Sequence, residues 1–491
     1  MSSTSAAPET NQRKALVAID LGAESCRVSL LRWTPSQVRW PEAKPHITLV
    51  HRFANAPRQV GDGLYWSLDN IHSGVDEGLH RCAELASEGI RSIAVDGWAV
   101  DYVRLDREGQ PLGDPFCYRD VRTVAAEASL HAHITPTRMR SLTAITPMRI
   151  NTLYQQHADR LANLPAPGCW LNLPEYILFR FGGRPVSEQT NAAHTQLIDI
   201  DRRTWSEEIF KAGSLNLAAA PTLVEPGTDL GQLTGEFAQL PAFRDTRLIA
   251  PACHDTASAI AGIPAVGDDW AYISSGTWSL VGTLVATPIK SAEAAHDGFT
   301  NLTAAGGASC FHVNVNGMWI LSQCIAQWKQ SGQPHDIAQL VAAARQLPPP
   351  LALLNVDEPD LLLPGNMMQR INAQLTKRGL APLAECSASA PAFASLIFHS
   401  LAARYRQVLA RIETHTGKHL RRVFIVGGGS RNEYLNTLIA QVTGLEVHRG
   451  SPESSTIGNF AMQLAVLEGH SAPDAATISH WAGALQHAYT A

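Results

Sequence analysis

Two segments of this 491-residue chain follow the same plan, and that repetition constrains the fold more than any other feature. In the first, the apolar run Ala15 to Ile19 stops at Asp20-Leu21-Gly22-Ala23-Glu24-Ser25 and resumes as Arg27 to Trp33, where Val28, Leu30 and Leu31 are apolar. Strand, tight polar turn, strand predicts a hairpin, with Gly22 free to take positive φ. In the second, Ala271-Tyr272-Ile273 leads through Ser274-Ser275-Gly276-Thr277 into Trp278 to Val285. The hairpins stand roughly 255 residues apart, the span of one large domain. Two domains that open alike fit an ancient duplication, with low residue identity between the copies.

The rest of the chain alternates strand and helix. Ile90 to Val95 reads as a strand with Val100 to Leu105 as its neighbour, Pro174 to Phe181 as a helix stopped by Gly182-Gly183, and Ala192 to Ile200 as strand-like. Leu248 to Ala250 precedes Cys253-His254-Asp255-Thr256, where an Ala/Ser helix begins. Ala392 to Thr416 carries Leu396, Leu401, Tyr405, Val408 and Ile412 at helical spacing and ends at Gly417. Val423 to Val426 is a strand, Gly427-Gly428-Gly429 a turn and Glu433 to Val442 a helix, so the class is α/β.

Composition excludes several functions. With 39 Lys and Arg against 44 Asp and Glu the net charge is −5, which argues against a nucleic-acid partner. No uninterrupted apolar run is long enough for a membrane span. Residues 1–13 lack a signal-peptide core and read as a disordered tail. The eight cysteines stand singly with no C-x-x-C pair, which fits reduced thiols in a cytoplasmic enzyme. There is no G-x-x-x-x-G-K-[ST], H-E-x-x-H or G-x-S-x-G, and Asn432 stands where a Rossmann motif needs its third glycine.

Three turns carry the candidate chemistry. Asp20 to Arg27 offers backbone N–H groups for phosphate oxygens and a carboxylate that reaches a hydrated Mg²⁺. Ser274 to Thr277 offers the same with hydroxyl donors, and Gly427 to Asn432 lets another molecule approach the backbone, which suits an adenosine group. Each alone is also an ordinary connection between elements; the three in this order are more specific. Asp255 reads either as a helix N-cap or as a general base beside a phosphoryl acceptor.

The motifs AIDLGAESCRV, NTLYQ, PEYILFRFGG, TNAAHTQLIDI, HDTASA, SSGTWSL, IVGGGSRN and ESSTIGN resemble those of the FGGY carbohydrate kinases, from about Leu16 to Gly469. Within that family the resemblance is closest to the rhamnulokinases. It implies two actin-like ATPase (ribonuclease H-like) domains with a cleft between them: a sugar-binding domain over 14–262 and a nucleotide-binding domain over 263–491. It implies transfer of a phosphoryl group from MgATP to the 1-hydroxyl of a 6-deoxy-ketohexose, L-rhamnulose first, with L-fuculose and ketopentoses as alternatives. By the resemblance Ala23, Glu24, Ser25, Cys26, Arg27 and Thr277 contact the ATP phosphates, Gly428 lies against adenosine, and Asp20 holds Mg²⁺ through water. Ala99, His254, Asp255, Thr256 and Asn314 line the sugar pocket, with Asp255 as proton acceptor; Asn314 alone is equally a capped turn. The enzyme so implied is a monomer or homodimer.

Four positions depart from the family pattern. Gly97 and Ala99 stand in Val95-Asp96-Gly97-Trp98-Ala99-Val100-Asp101 where the rhamnulokinase pattern is V-D-T-W-G-V-D, Cys26 replaces a phosphate-turn glycine, and Ser322 replaces a glutamine, with Gln323 beside it. A rival reading is a non-catalytic actin-like sugar sensor. That reading expects a lost base or a fused DNA-binding segment, but Asp255 is present and thirteen residues cannot hold a helix-turn-helix. A filament-forming actin relative ranks lower still.

Overall fold

The computed structural model describes residues 14–34 and 44–489, so the tail expected over 1–13 lies outside the described residues. Both hairpins form. Ala15–Leu21 pairs antiparallel with Ser25–Thr34, and Trp270–Ser275 with Trp278–Val285. The strands run further into the turns than the sequence suggests, leaving 22–24 and 276–277 as the reversals.

Each hairpin opens a sheet of six strands, and five of the six follow one topology in both sheets. In the N-terminal half Lys44–Ala54 continues the hairpin antiparallel, while Ile90–Gly97 and then Arg247–Ala250 add parallel strands on the other side of Ala15–Leu21. In the C-terminal half Ser309–Asn316 continues the hairpin, while Arg422–Val426 and then Glu446–Arg449 add the parallel strands. The sixth strand lies on opposite sides: Thr228–Gln232 flanks Arg247–Ala250 in the first sheet, and Thr300–Thr303 flanks Ser309–Asn316 in the second. The first strand, ALVAIDL, is buried along its whole length, as a central strand covered on both faces must be.

Each sheet buries one face under its own helices. Leu68–Leu85 and Leu173–Arg180 cover the first sheet; Ala390–Thr416, Trp319–Gln330 and Glu433–Thr443 cover the second. The 27-residue helix Ala390–Thr416 starts with a proline in its first turn and stops at Gly417, whose φ of 69° gives a left-handed cap. On the opposite face of the first sheet, Leu16, Ala18 and Leu31 pack with Ile457, Phe460 and Ala461 of the helix Ser454–Leu467 and with Ile478 and Trp481 of Ala475–Leu485. The chain's last helices therefore return to the first sheet and join the halves.

Two local expectations are corrected. Tyr102–Leu105 does not neighbour Ile90–Gly97; it pairs with Cys169–Asn172, because the loop after Gly97 turns the chain away at Val100, whose φ is 74°. The stretch 192–200 is not a strand. Gln189–His194 is a helix whose cap, Glu188, accepts from the Thr190 N–H, and only Ile198–Asp199 is extended. No described helix is long and apolar enough to cross a membrane.

Candidate functional site

Three neighbouring strand ends bring three carboxylates together. Asp20 closes strand 15–21 directly opposite Asp96 on strand 90–97, and Gly97 bridges to His254, just before Asp255. The carboxyl ends of parallel strands are where α/β sheets take ligands. Asp20 is 4% exposed; its Oδ2 accepts from Arg27 Nη1 at 3.1 Å and Ser455 Oγ at 2.7 Å. Burial raises its pKa, against the pull of Arg27. Asp96 is raised further, by burial and then by Asp20, and its Oδ1 is buried with no hydrogen-bond partner. Asp255 keeps 38% of its side chain open yet lies deep in the protein; burial first and Asp20 second push its pKa up to about 7. The helix cap position falls on His254, and the Asp255 carboxylate accepts from Thr256 Oγ1 at 3.1 Å.

The flanking motifs hold this cluster in place. In ESSTIGN, Glu453 lies 3.3 Å from Arg27, Ser455 binds Asp20, and Asn459 Nδ2 donates to Asp96 Oδ2 at 2.6 Å. Gly458 lets the helix Ser454–Leu467 touch Asp255–Ala261, since a Cβ there would sit 1.8 Å from the Ser258 carbonyl oxygen. In TNAAHTQLIDI and the residues just before it, Glu188 Oε2 accepts from the Cys253 N–H at 2.8 Å and from Thr190 Oγ1 at 2.6 Å, and Thr190 Oγ1 accepts from the His254 N–H at 3.3 Å. Glu188 is fully buried and pushed up to about 8. In NTLYQ, Thr152 Oγ1 and Gln155 Nε2 both donate to the Val100 carbonyl, at 2.7 and 3.1 Å, and so hold its left-handed backbone. Such strain in a β-branched residue costs roughly 1–3 kcal/mol and collects at functional sites. Ala99 in this loop is 8% exposed, between Trp98 and Val100.

The second half presents its own turns at matching strand ends. Gly427, at φ 80°, and Gly429 lie against Ser275; a Cβ on Gly429 would meet Ser275 Oγ at 2.0 Å. A Cβ on Gly428 would meet nothing within 4 Å, so that residue faces open space, as a surface for a flat group requires. Thr277 is exposed at the hairpin tip. Asn314 is exposed on strand 309–316, two residues from Asn316, which pairs with Trp278 beside that tip.

The structure thus forms two groups. Asp20, Arg27, His254, Asp255 and Thr256 make one and Thr277 and Gly428 the other; Asn314, expected at the sugar, stands on the C-terminal sheet opposite Leu280, outside the Asp255 group. The stretch 451–455 touches both, because Ser451 O accepts from the Gly427 N–H at 3.2 Å while Glu453 and Ser455 hold Arg27 and Asp20. Within the first turn Ala23 and Glu24 lie in the reversal and Ser25 opens the second strand; the turn is tied back where the Asn55 N–H donates to Glu24 O and its side chain to Gly22 O. Cys26 points into the core, with its thiol pushed up to about 12 by burial. Gln323 Oε1 accepts from the Gly365 N–H at 3.0 Å. The sequence assigns no role to Asp96, Glu188, Ser455 or Asn459: Asp96 falls within Val95 to Asp101 and Ser455 and Asn459 within ESSTIGN, whereas Glu188 lies two residues before TNAAHTQLIDI and carries no motif of its own.

Comparison with known proteins agrees with the fold and assigns the family. Residues 15–262 match the N-terminal domain model of the FGGY family of carbohydrate kinases, and 271–467 its C-terminal domain model. The chain is 33% identical over 471 residues to a rhamnulokinase of Enterococcus faecalis, covering 93% of this chain and 90% of that one. It is 35% identical over 463 residues to a rhamnulokinase of Pectobacterium carotovorum, covering 92% and 88%. In fold it is similar to a xylulose kinase of Lactobacillus acidophilus, with a TM-score of 0.73 at 14% identity over 95% of this chain and 92% of that one. A glycerol kinase of Plasmodium falciparum gives 0.72 at 12% identity over the same shares. The chain belongs to the FGGY family of carbohydrate kinases.

Proposed function

We propose that this protein transfers the γ-phosphoryl group of ATP to the 1-hydroxyl of L-rhamnulose, giving L-rhamnulose 1-phosphate. The observation that carries the reading is the placement of Asp255, a partly open carboxylate with a pKa near 7 beside two further acids, in a chain a third identical to rhamnulokinases along most of its length. In this reading residues 14–262 form the sugar domain and 263–491 the nucleotide domain. Asp255 accepts the hydroxyl proton; His254, Thr256 and Ala99 orient the ketose. The 23–27 turn and Thr277 hold phosphate oxygens, and adenosine lies on Gly428.

The residues present fit a magnesium ion. Burial raises the pKa of Asp20, Asp96 and Asp255; Asp20 raises Asp96 and Asp255 further and Asp255 raises Asp96, while Arg27 and hydrogen bonds pull the other way, an arrangement a divalent cation relieves. Among the described residues no group of three or more His, Cys, Asp or Glu is placed to ligate a metal directly, which suits an ion held by Asp20 through water and by phosphate oxygens. When bound, Mg²⁺ neutralises charge developing on the transferred group.

An ADP-release assay against L-rhamnulose, L-fuculose, L-ribulose and D-xylulose tests the reading. L-Rhamnulose is expected to give the highest kcat/KM; preference for L-fuculose or a pentulose moves the enzyme elsewhere in the family, and no ADP release with any ketose favours a binding protein. Asp255→Asn is expected to lower kcat about 10²- to 10⁴-fold, roughly 3–5 kcal/mol of barrier, with sugar affinity little changed. Near-normal turnover would reduce Asp255 to a structural residue.

A further inference from the structure

Three histidines gather behind Asp255, and the two halves supply them jointly. His254 Nε2 lies 3.3 Å from Asp255 Oδ1. The ring of His194 stands edge-on to that of His254, centroids 4.1 Å apart at 65°. His194 ends the helix Gln189–His194, which packs on strand Thr300–Thr303 of the C-terminal half. His312 pairs with Thr300 from the next strand and is 1% exposed. His194 Nε2 and His312 Nδ1 are buried without a hydrogen-bond partner. The same edge is closed by the Asn301 N–H donating to Ala144 O and the Thr146 N–H to Thr300 Oγ1, each at 3.1 Å. An unpaired buried imidazole nitrogen is costly, and charging such a ring costs more.

We propose that His194 and His312 are positioning residues for the phosphoryl transfer: one from each half, they wall His254 off from water and keep it a neutral imidazole facing Asp255. The inference rests on reading Asp255 as the proton acceptor. A cationic His254 beside Asp255 would favour the ionised carboxylate and weaken it as a base, whereas a neutral ring orients it without that loss. Burial holds His254 well below the ordinary histidine range, with His194 and His312 adding to it; those two are themselves lowered to about 3 and about 4 by burial. The other titratable or charged groups facing the three rings and Asp255 include Asp20, Asp96 and Arg27 on the Asp255 side, Cys253 and Glu188 behind His254, and the neutral Cys310 and Tyr272 beside His312. Because His312 belongs to the C-terminal half, the wall is complete only when the halves meet.

Side-chain NMR of the full-length protein without substrate tests this directly, with the His254 signal assigned by its loss in His254→Gln. No protonation of the His254 ring, read from its two ring-nitrogen shifts, is expected between about pH 5.5 and 8, and a small shift near pH 7 that leaves the ring neutral reports Asp255 alone. A ring-protonation midpoint near the ordinary histidine value in the unmutated protein overturns the proposal. His194→Ala admits water and is expected to bring the His254 titration into that window and to lower kcat about tenfold, with KM for ATP unchanged. His194→Phe keeps an edge-on ring without nitrogens and is expected to hold kcat within about twofold. An alanine variant matching the parent in both readouts, or a phenylalanine variant as impaired as the alanine one, also overturns it. The titration does not depend on turnover, so a protein that phosphorylates none of the ketoses fails the functional reading while the histidine result stands separately.

Discussion

Gly458→Ala gives a test in which two physical effects have opposite signs. Gly458 lies inside the helix Ser454–Leu467, where exchanging glycine for alanine ordinarily stabilises by about 0.8–1 kcal/mol. Here the added methyl would lie 1.8 Å from the Ser258 carbonyl oxygen and 2.8 Å from the backbone nitrogen of Gly262. Both obstacles are main chain, so the helices Asp255–Ala261 and Ser454–Leu467 must separate by more than 1 Å to reach ordinary contact at roughly 3 Å or beyond. Overpacking of this kind costs about 1–3 kcal/mol. The separation also stretches the 2.7 Å bond from Ser455 to Asp20 and the 2.6 Å bond from Asn459 to Asp96, whose buried carboxylates lose partners at about 1–3 kcal/mol each if the bonds break. After the propensity gain is subtracted the expected net is a loss of about 0–2 kcal/mol if both bonds survive and of about 2–8 kcal/mol if both break. It should appear as a lower midpoint of urea unfolding at unchanged m-value, together with a lower kcat because Asp255 moves with its helix. A variant more stable than the parent with undiminished turnover would refute the close helix contact and its role in holding the three acids.

Four further outcomes follow. Thr277→Val, which keeps the shape but removes the exposed hydroxyl, should raise KM for ATP and leave sugar affinity alone in calorimetry; the reverse would exchange the two clefts. The kcat profile should rise through about pH 7 as Asp255 ionises, and a profile flat from pH 6 to 8 would remove it as the base. Because the folded-state pKa of Asp255 is raised, the folded protein holds a proton that the unfolded chain has released, so stability falls as pH climbs from about 4 to about 7; with 38% of the side chain exposed and screened, Asp255→Asn should recover on the order of 1 kcal/mol at pH 8, read as a higher melting temperature. Ala99→Gly should change the kcat/KM ratio of L-rhamnulose to L-fuculose by about 10-fold or more if its methyl meets the sugar, and an unchanged ratio with a lower melting temperature would assign it to the core, where it is 8% exposed.

The hairpins, the parallel strands and the long helix 390–416 were legible because each depends on local pattern: apolar runs of strand length, turn residues, 3.6-residue spacing and a terminal glycine. The region 98–105 was not, because its course is decided at a distance. Val100 takes a left-handed backbone that its own sequence disfavours, and it is held there by Thr152 and Gln155, fifty residues on. Likewise 192–200 reads as a strand by composition, yet the Glu188 carboxylate caps a helix at 189, and no period within the stretch records that.

The candidate site divides along the same line. The groups proposed to meet ligand sit at a strand end, at a helix start and on turns, where sequence shows them: Asp20, Asp255, Thr277 and Gly428. Their supports lie in buried segments, where a polar residue is meaningful only once its partner is known. Glu188 has no recognisable role until its oxygen is seen on the Cys253 N–H, which fixes the backbone immediately before His254. Asn459 has none until Asp96 is placed against it from a strand 363 residues away. Both are cases in which burying a carboxylate is expensive unless its acceptors are filled, so the donors are as tightly specified as the acids themselves. The ESSTIGN segment concentrates this demand. It must supply Glu453 to Arg27, Ser455 to Asp20, a bare Gly458 against Ser258 and Asn459 to Asp96 within seven consecutive residues, and a single helical turn more or less would misplace all four. The geometry of the acids in the first half is therefore set by a helix of the second, which is why the two halves must be joined before the cluster around Asp255 is complete.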